Sequence, residues 1–206
     1  MIAATFASCS VEIVRVDADV FIPPLFLVGM MGAGKTTIGR GLARAMGREF
    51  VDIDQVIETR CGVRIPTIFE LEGEAGFRAR EAHVLDEYSR KSGVVLATGG
   101  GVVMAEPNRR ILAERGRVLY LRARAEELYQ RTRYDRNRPL LRTADPLAKI
   151  TELLVAREPL YEEIADLVVD TGRMSVTRLV HRILPLLLSC DKPITPVSDL
   201  PPLECL

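Results

Sequence analysis

A glycine-rich segment near the start of the chain has the residue types that bind phosphate groups. Residues 29–36 read GMMGAGKT and fit the pattern GxxxxGK[ST]. In this pattern backbone N–H groups surround the phosphates, the lysine (Lys35) reaches the β- and γ-phosphates, and the hydroxyl of Thr36 ligates Mg²⁺. An apolar run precedes the segment and a stretch with helical periodicity follows it, so a chance glycine-rich turn is the weaker alternative. The segment predicts a site for a nucleoside triphosphate.

Two carboxylates follow the next apolar run. Asp52 and Asp54 lie at the end of a predicted strand, residues 49–53. Ligands of open parallel sheets bind at the carboxyl ends of the strands, and strand alternation would place both side chains on one face, where they could share a metal ion and a substrate. Alternatively, Asp54 could cap a helix that begins at Gln55. The neighbouring phosphate-binding pattern favours the shared site.

A charged pair and a glycine triplet come later in the chain. Arg78 and Glu81 are i, i+3 neighbours on a predicted helix, residues 74–91. The carboxylate could orient the guanidinium for bidentate binding of an acid, although a solvent-exposed salt bridge is the alternative. Residues 99–101 are three consecutive glycines after the third apolar run. They could let the backbone approach a ligand closely or simply form a flexible turn.

Short apolar runs alternate with stretches of helical periodicity along most of the chain. The predicted strands are residues 25–28, 49–53, 94–97, 117–121 and 167–169. The predicted helices are residues 36–46, 74–91, 107–115, 147–164 and 176–188. This alternation predicts an α/β fold whose mostly parallel sheet is covered by helices on both faces. Such a sheet would bring the candidate residues together at one edge.

Three segments depart from this alternation. Residues 131–145 are polar, rich in arginine and too long for an ordinary connection, which is typical of a lid over an active site. We expect one domain over residues 23–188, with an N-terminal extension, residues 1–22, and a C-terminal tail, residues 189–206.

The composition excludes several classes of protein. The chain has 206 residues, of which 48% are hydrophobic and 27% charged, and these proportions argue against a disordered chain. Its 28 basic and 28 acidic side chains leave no net charge, which argues against nonspecific nucleic-acid binding. The four cysteines have no C-x-x-C spacing and are expected to be free thiols in a reducing compartment. No run of residues predicts a signal peptide or a membrane span, so we expect a cytoplasmic protein.

Read in order, these motifs resemble those of the shikimate kinase family. The resemblance spans residues 25–188 and rests on GMMGAGKT, Asp52-x-Asp54, Phe77-Arg78-x-x-Glu81, Gly99-Gly100-Gly101, Arg138-Pro-Leu-Leu141 and Arg157-x-x-Leu160-Tyr161. It implies the P-loop kinase fold of the nucleoside-monophosphate-kinase type: a five-stranded parallel sheet flanked by helices, a lid (about residues 131–145) and a substrate-binding helical segment (about residues 54–91). The implied reaction, part of aromatic amino acid biosynthesis, is the ATP-dependent phosphorylation of the 3-hydroxyl of shikimate by a monomer that uses ATP and Mg²⁺.

The resemblance also implies a role for each matching residue. The nucleotide would be bound by Gly32, Ala33, Gly34, Lys35, Thr36, Thr37, Arg131, Arg138 and Arg173. Mg²⁺ would be held by Thr36 and Asp52. Shikimate would be bound by Asp54, Arg78, Glu81, Gly99, Gly100, Gly101 and Arg157. The catalytic residues would be Lys35, Asp54 and Arg138, with Asp54 acting as a general base or only orienting the hydroxyl.

Two other functions remain open at this point. Another small-metabolite kinase of the same fold, such as gluconate kinase, would share the phosphate-binding pattern but would not need the paired Arg78 and Arg157. A non-catalytic nucleotide-binding regulator would be expected to have lost at least one of the functional residues, all of which are present: Lys35, Thr36, Asp54 and Arg138.

Overall fold

The computed structural model describes residues 21–135, 138–172 and 174–189. Almost all of the predicted extension (1–22) and tail (189–206) lies outside these ranges, as does Arg173. The bounds of the extension, the domain and the tail therefore stay predictions.

Five parallel strands form the central sheet. They are β1 (Leu25–Val28), β2 (Glu49–Asp52), β3 (Val94–Ala97), β4 (Arg117–Arg122) and β5 (Leu167–Asp170), in the spatial order β2-β3-β1-β4-β5. Every residue of β1 and of β3 is buried, because helices cover both faces of the sheet. The predicted fold class is confirmed.

Within the described ranges, seven helices connect and cover the strands. They are α1 (Lys35–Met46), α2 (Ile53–Cys61), α3 (Ile65–Tyr88), α4 (Glu106–Arg115), α5 (Ala125–Thr132), α6 (Pro146–Ile164) and α7 (Val176–Ser189). Short 3₁₀ segments occupy Val102–Met104 and Pro139–Leu141. Helix α1 shows how the sequence directs this packing, since its buried residues Ile38, Leu42 and Ala43 recur with the helical period and face the sheet. No helix in the described ranges is long and apolar enough to span a membrane.

Three helical features differ from the sequence prediction. Helix α5 was not predicted. The periodicity of the residues marked neither α2 nor the first part of α3, which begins at Ile65 instead of residue 74, although the resemblance implies a helical segment over about residues 54–91. The predicted start coincides with a kink in α3 at Gly73, whose φ of 70° and ψ of −177° are not helical. The helical conformation of α2 also contradicts the expected continuation of β2 through residue 53.

The order of the strands determines where the candidate site lies. β1 is paired with β3 on one side and with β4 on the other. After β1 the chain continues towards β2 on one side of the sheet, and after β3 it continues towards β4 on the other side, so the strand order reverses between these connections. The crevice at such a point is the usual ligand site of an open α/β sheet. Since β2 is the other neighbour of β3, the segments that follow β1, β2 and β3 lie at one edge.

Candidate active site

The phosphate-binding loop connects β1 to α1. Gly34 is the N-cap of α1 and adopts a left-handed conformation with φ of 96°, which disfavours residues with a Cβ. The side chain of Lys35 turns back into the loop, where its Nζ donates hydrogen bonds to the carbonyl oxygens of Gly29 (2.7 Å) and Met30 (3.0 Å). The loop thus places backbone N–H groups, a helix N-terminus and an ammonium group together, as phosphate binding requires.

The surroundings of Lys35 favour its neutral form. Burial and the positive charge of Arg138 lower the pKa of Lys35 to about 8, although Asp54 and Asp52 oppose that shift. An anionic phosphate would restore the charge of this lysine by supplying the missing negative partner.

Thr36 and Asp52 form the candidate magnesium site. The Thr36 hydroxyl donates a 2.8 Å hydrogen bond to Oδ2 of Asp52, which brings two hard oxygen donors together beside the loop. Mg²⁺ is commonly bound by one or two such protein oxygens together with substrate phosphates and water. The residues present therefore fit this ion.

Asp52 also determines the position of Asp54. Its Oδ1 accepts hydrogen bonds from the backbone N–H groups of Asp54 (3.1 Å) and Gln55 (3.5 Å), so Asp52 is the N-cap of α2. Asp54 itself lies in the first turn of that helix. The expectation of two alternating strand residues was wrong, as was the alternative of Asp54 as the cap. A capping bond brings the two carboxylates together instead.

The Asp54 side chain points into a cavity at the edge of the sheet. Its Oδ1 is buried and has no hydrogen-bond partner among the described residues. Burial, reinforced by the charge of Asp52, raises the pKa of Asp54 above the usual value for an aspartate. A buried carboxylate oxygen without a donor is poised to accept a hydrogen bond from a ligand hydroxyl.

Arg78 and Glu81 form an ion pair that is not a solvent-exposed salt bridge. Nη1 of Arg78 donates a 2.6 Å hydrogen bond to Oε2 of Glu81, whose side chain has no exposed surface. Nε and Nη2 of the same guanidinium donate to Oε1 of Glu74 at 3.2 Å and 2.8 Å. These two carboxylates orient the guanidinium at the wall of the cavity.

The glycine triplet is required by the side chains that pack against it. A Cβ on Gly99 would lie 1.9 Å from Oε1 of Glu81, and a Cβ on Gly101 would lie 2.2 Å from Nη2 of Arg78. Any side chain at either position would displace the ion pair. The triplet is therefore more than a flexible turn: it gives room to the groups that line the cavity.

Arg157 approaches the same triplet from α6. Arg157 is 4% exposed as a residue, and its Nη1 donates a 3.3 Å hydrogen bond to the carbonyl oxygen of Gly100. Its Nε is buried without a hydrogen-bond partner among the described residues, which leaves a donor for a ligand. The hydroxyl of Tyr161 donates to the same Gly100 carbonyl. The sequence motif contains Tyr161, but sequence reasoning assigned it no role.

The cavity also has an apolar wall that sequence reasoning missed. The side chains of Ile65, Phe69, Phe77 and Leu140 line it alongside the charged groups. The rings of Phe69 and Phe77 contact each other with centroids 5.0 Å apart. Apolar residues in an amphipathic helix resemble ordinary core residues in a sequence, so no local signal distinguishes this wall.

Two further arginines, Arg131 and Arg138, lie in the segment predicted as the lid, residues 131–145. Arg138 lines the cavity, and its Nε donates a 3.0 Å hydrogen bond to Asp135. Arg131 lies in α5 and donates to the Gly32 carbonyl (3.2 Å), to Thr171 (3.0 Å) and to the Gly172 carbonyl (2.6 Å). It thereby links the phosphate-binding loop to the segment after β5.

A second cavity adjoins the phosphate-binding loop. Its lining includes loop residues, Arg131 and residues of the segment after β5. The resemblance implies that the nucleotide is bound by Arg131 and by Arg173, which belongs to that segment of the sequence. Of the residues predicted to bind the nucleotide, Gly32, Ala33, Gly34 and Thr37 border this cavity. Asp54, Arg78, Arg138 and Arg157 border the first cavity. Arg173 lies outside the described residues and stays a prediction.

Comparisons with known proteins agree with this geometry. Residues 31–187 match the family model described as shikimate kinase. The chain is 63% identical over 169 residues to a shikimate kinase of Bordetella avium, covering 82% of this chain and 81% of that protein. It is 54% identical over 160 residues to a shikimate kinase of Ralstonia nicotianae, covering 78% of this chain and 84% of that protein.

Solved structures give the same result. The structure of shikimate kinase from Acinetobacter baumannii in complex with shikimate superposes with a TM-score of 0.80 and 49% identity, over 82% of this chain and 94% of that one. A gluconokinase from Sinorhizobium meliloti superposes with a TM-score of 0.53 and 15% identity, over 82% of this chain and 97% of that one. The second likeness shows the fold alone.

Proposed function

Since this chain belongs to the shikimate kinase family, we propose that it transfers the γ-phosphoryl group of ATP to the 3-hydroxyl of shikimate in the cavity between Asp54, Arg78, Arg138 and Arg157. Membership confirms the predicted family, the enzyme class and the use of ATP. One observation carries the assignment of the site: a single cavity combines two oriented guanidinium groups, which suit a carboxylate, with an unpartnered carboxylate oxygen, which suits a hydroxyl.

The carboxylate of shikimate binds Arg78 and Arg157. Glu81 and Glu74 orient the first guanidinium, and the Gly100 carbonyl orients the second. Because both groups are held before the substrate arrives, little conformational entropy is lost on binding. The rings of Phe69 and Phe77 offer an apolar surface to the carbon skeleton of the substrate.

The phosphates of ATP bind the loop of residues 32–37, with Lys35 on the β- and γ-phosphates. Thr36 and Asp52 would hold Mg²⁺, which supplies positive charge to the phosphate oxygens when it is bound. The cavity beside Arg131 takes the base of the nucleotide. Arg173 stays a predicted nucleotide-binding residue.

Phosphoryl transfer mainly requires alignment and stabilisation of charge. The 3-hydroxyl oxygen forms a bond to the γ-phosphorus while the bond from that phosphorus to the bridging oxygen of ADP breaks. Lys35 and Arg138 stabilise the negative charge on the transferred group. Asp54 accepts a hydrogen bond from the attacking hydroxyl, and its raised pKa makes it a better acceptor of the released proton than an exposed aspartate.

The lid completes the site. Arg138 lies within the segment predicted as the lid and already borders the cavity. Closure of this segment over both substrates would exclude water, which would otherwise compete with the sugar-like acceptor for the phosphoryl group. We propose further that the enzyme acts as a monomer in the cytoplasm, as the family resemblance implies.

A coupled assay with ATP and each of three acceptors tests the substrate. We expect ADP release with shikimate and only background release with gluconate or adenosine monophosphate, because neither matches a rigid ring acid held by two guanidiniums. ³¹P and ¹H NMR of the product would locate the phosphate on the 3-hydroxyl. Turnover with gluconate equal to that with shikimate, or a phosphate on another hydroxyl, would contradict the proposal.

A further inference from the structure

A second set of arginines lies at the opposite end of the sheet from the active site. Arg48 precedes β2 and Arg117 begins β4, and both side chains line a pocket together with Pro23, Pro24, Met46 and Leu187. The pocket adjoins the amino end of β1, whereas the phosphate-binding loop follows its carboxyl end. Four strand residues separate the two places by about 13 Å, so this pocket is not part of the catalytic cavity.

Both guanidiniums are positioned by backbone carbonyls and not by acids. Nη1 of Arg48 donates a 3.2 Å hydrogen bond to the Pro23 carbonyl, and Nη1 of Arg117 donates to the Leu187 carbonyl. Within the described ranges neither forms an ion pair, and no carboxylate lines the pocket. Other arginines of the fold do have acidic partners: Arg115 contacts Asp86 at 2.6 Å.

The guanidinium groups of Arg48 and Arg117 repel each other in a half-buried pocket. Both side chains have intermediate exposure. Burial and the charge of Arg117 lower the pKa of Arg48, which means that its charged form is less stable there than in water. A negative group between the guanidiniums would relieve both effects, and each guanidinium retains N–H donors beyond its one carbonyl contact.

We propose that this pocket binds a carboxylate, whose oxygens bridge Arg48 and Arg117 while the apolar part of the ligand contacts Pro23, Pro24 and Met46. A carboxylate matches the planar donor geometry of guanidinium groups. The apolar lining favours an organic acid over an inorganic anion. Because the site is far from the transferred phosphate, its occupation stabilises the fold without contributing a group to catalysis.

The carboxylate can come from two sources. One is a free organic acid. The other is an acidic side chain of this chain: in the sequence Asp19 is four residues before Pro23 and Asp191 is four residues after Leu187. The experiment must therefore distinguish a free ligand from an internal one.

Benzoate, a carboxylate with an apolar ring, is the probe, and neutral benzamide is its matched control. Both are titrated into the full chain at constant ionic strength, with saturating shikimate present to block the catalytic cavity, and binding is measured by calorimetry and by the shift in Tm. The titration is repeated with a full chain whose flanking acids are neutralised as Glu12→Gln, Asp17→Asn, Asp19→Asn, Asp191→Asn, Asp199→Asn and Glu204→Gln.

Binding of benzoate to both chains supports a free ligand, and binding only to the neutralised chain supports an internal one. In either case Arg48→Gln should weaken benzoate binding at least tenfold, while Arg44→Gln, at an exposed position of α1, should not. Arg117→Gln provides a second test, read by calorimetry in case loss of its contact to Leu187 lowers Tm. Activity on shikimate should be unchanged in Arg48→Gln.

Two results would overturn the proposal. One is benzoate that binds neither chain better than benzamide does. The other is benzoate affinity that survives both Arg48→Gln and Arg117→Gln.

Discussion

Replacing Arg78 with lysine tests the carboxylate site most directly. The guanidinium contacts Glu81 through Nη1 and Glu74 through Nε and Nη2, and it still borders the cavity. A lysine has one nitrogen, which can keep the ion pair with buried Glu81 but cannot also present a fork to the substrate. The positive charge stays, so the variant does not leave Glu81 as an unpaired buried carboxylate and should fold.

The size of the effect follows from the contact that is lost. A hydrogen bond between charged groups contributes about 1.5–3 kcal/mol, and each 1.4 kcal/mol corresponds to about a factor of ten in affinity. Arg78→Lys should therefore raise the KM for shikimate by roughly 10- to 150-fold. The KM for ATP should stay the same, because the nucleotide is bound by the phosphate-binding loop.

Steady-state kinetics with each substrate varied in turn provides the measurement. Arg80→Lys is the matched control, since Arg80 lies on the same helix but pairs with Glu72 at the surface, where the two side chains are 44% and 40% exposed. We expect wild-type kinetics from this control. An unchanged KM for shikimate in Arg78→Lys would remove Arg78 from the substrate site, and an equal rise in both KM values would indicate general damage.

Three further predictions concern other groups of the site. Asp54→Asn should abolish phosphorylation yet keep ATP affinity measured by calorimetry, and near-normal turnover would refute its role. Because the pKa of Lys35 is lowered to about 8, the lysine loses its charge as the pH rises through that value. Above it the ATP affinity should fall by up to about tenfold per pH unit, and ATP binding should be accompanied by proton uptake. An ATP affinity that does not change with pH would refute this. Tyr161→Phe removes one donor from the Gly100 carbonyl and should raise the KM for shikimate by about 2- to 12-fold, whereas a change confined to the KM for ATP would contradict it.

Much of the fold could be predicted from local patterns. The ends of the five strands were predicted to within two residues. A buried parallel strand is a short apolar run in the sequence, and this pattern does not depend on which strands it pairs with. Helix α2 was not singled out from the residue pattern, because only nine residues carry its period, although Ile53, Val56 and Ile57 do recur with helical spacing. The side chain of Asp52, by capping the next helix, decides that the strand ends there.

The amino-acid sequence by itself determined the phosphate-binding loop, since its conformation depends on glycines and a lysine that are neighbours in the chain. Only the tertiary structure decided the shape of the acid-binding cavity. Gly99 makes room for Glu81, Gly101 for Arg78, and the Gly100 carbonyl receives Arg157. The physical reason is that these contacts join residues far apart in sequence, and the packing of helices on the sheet brings them within van der Waals distance.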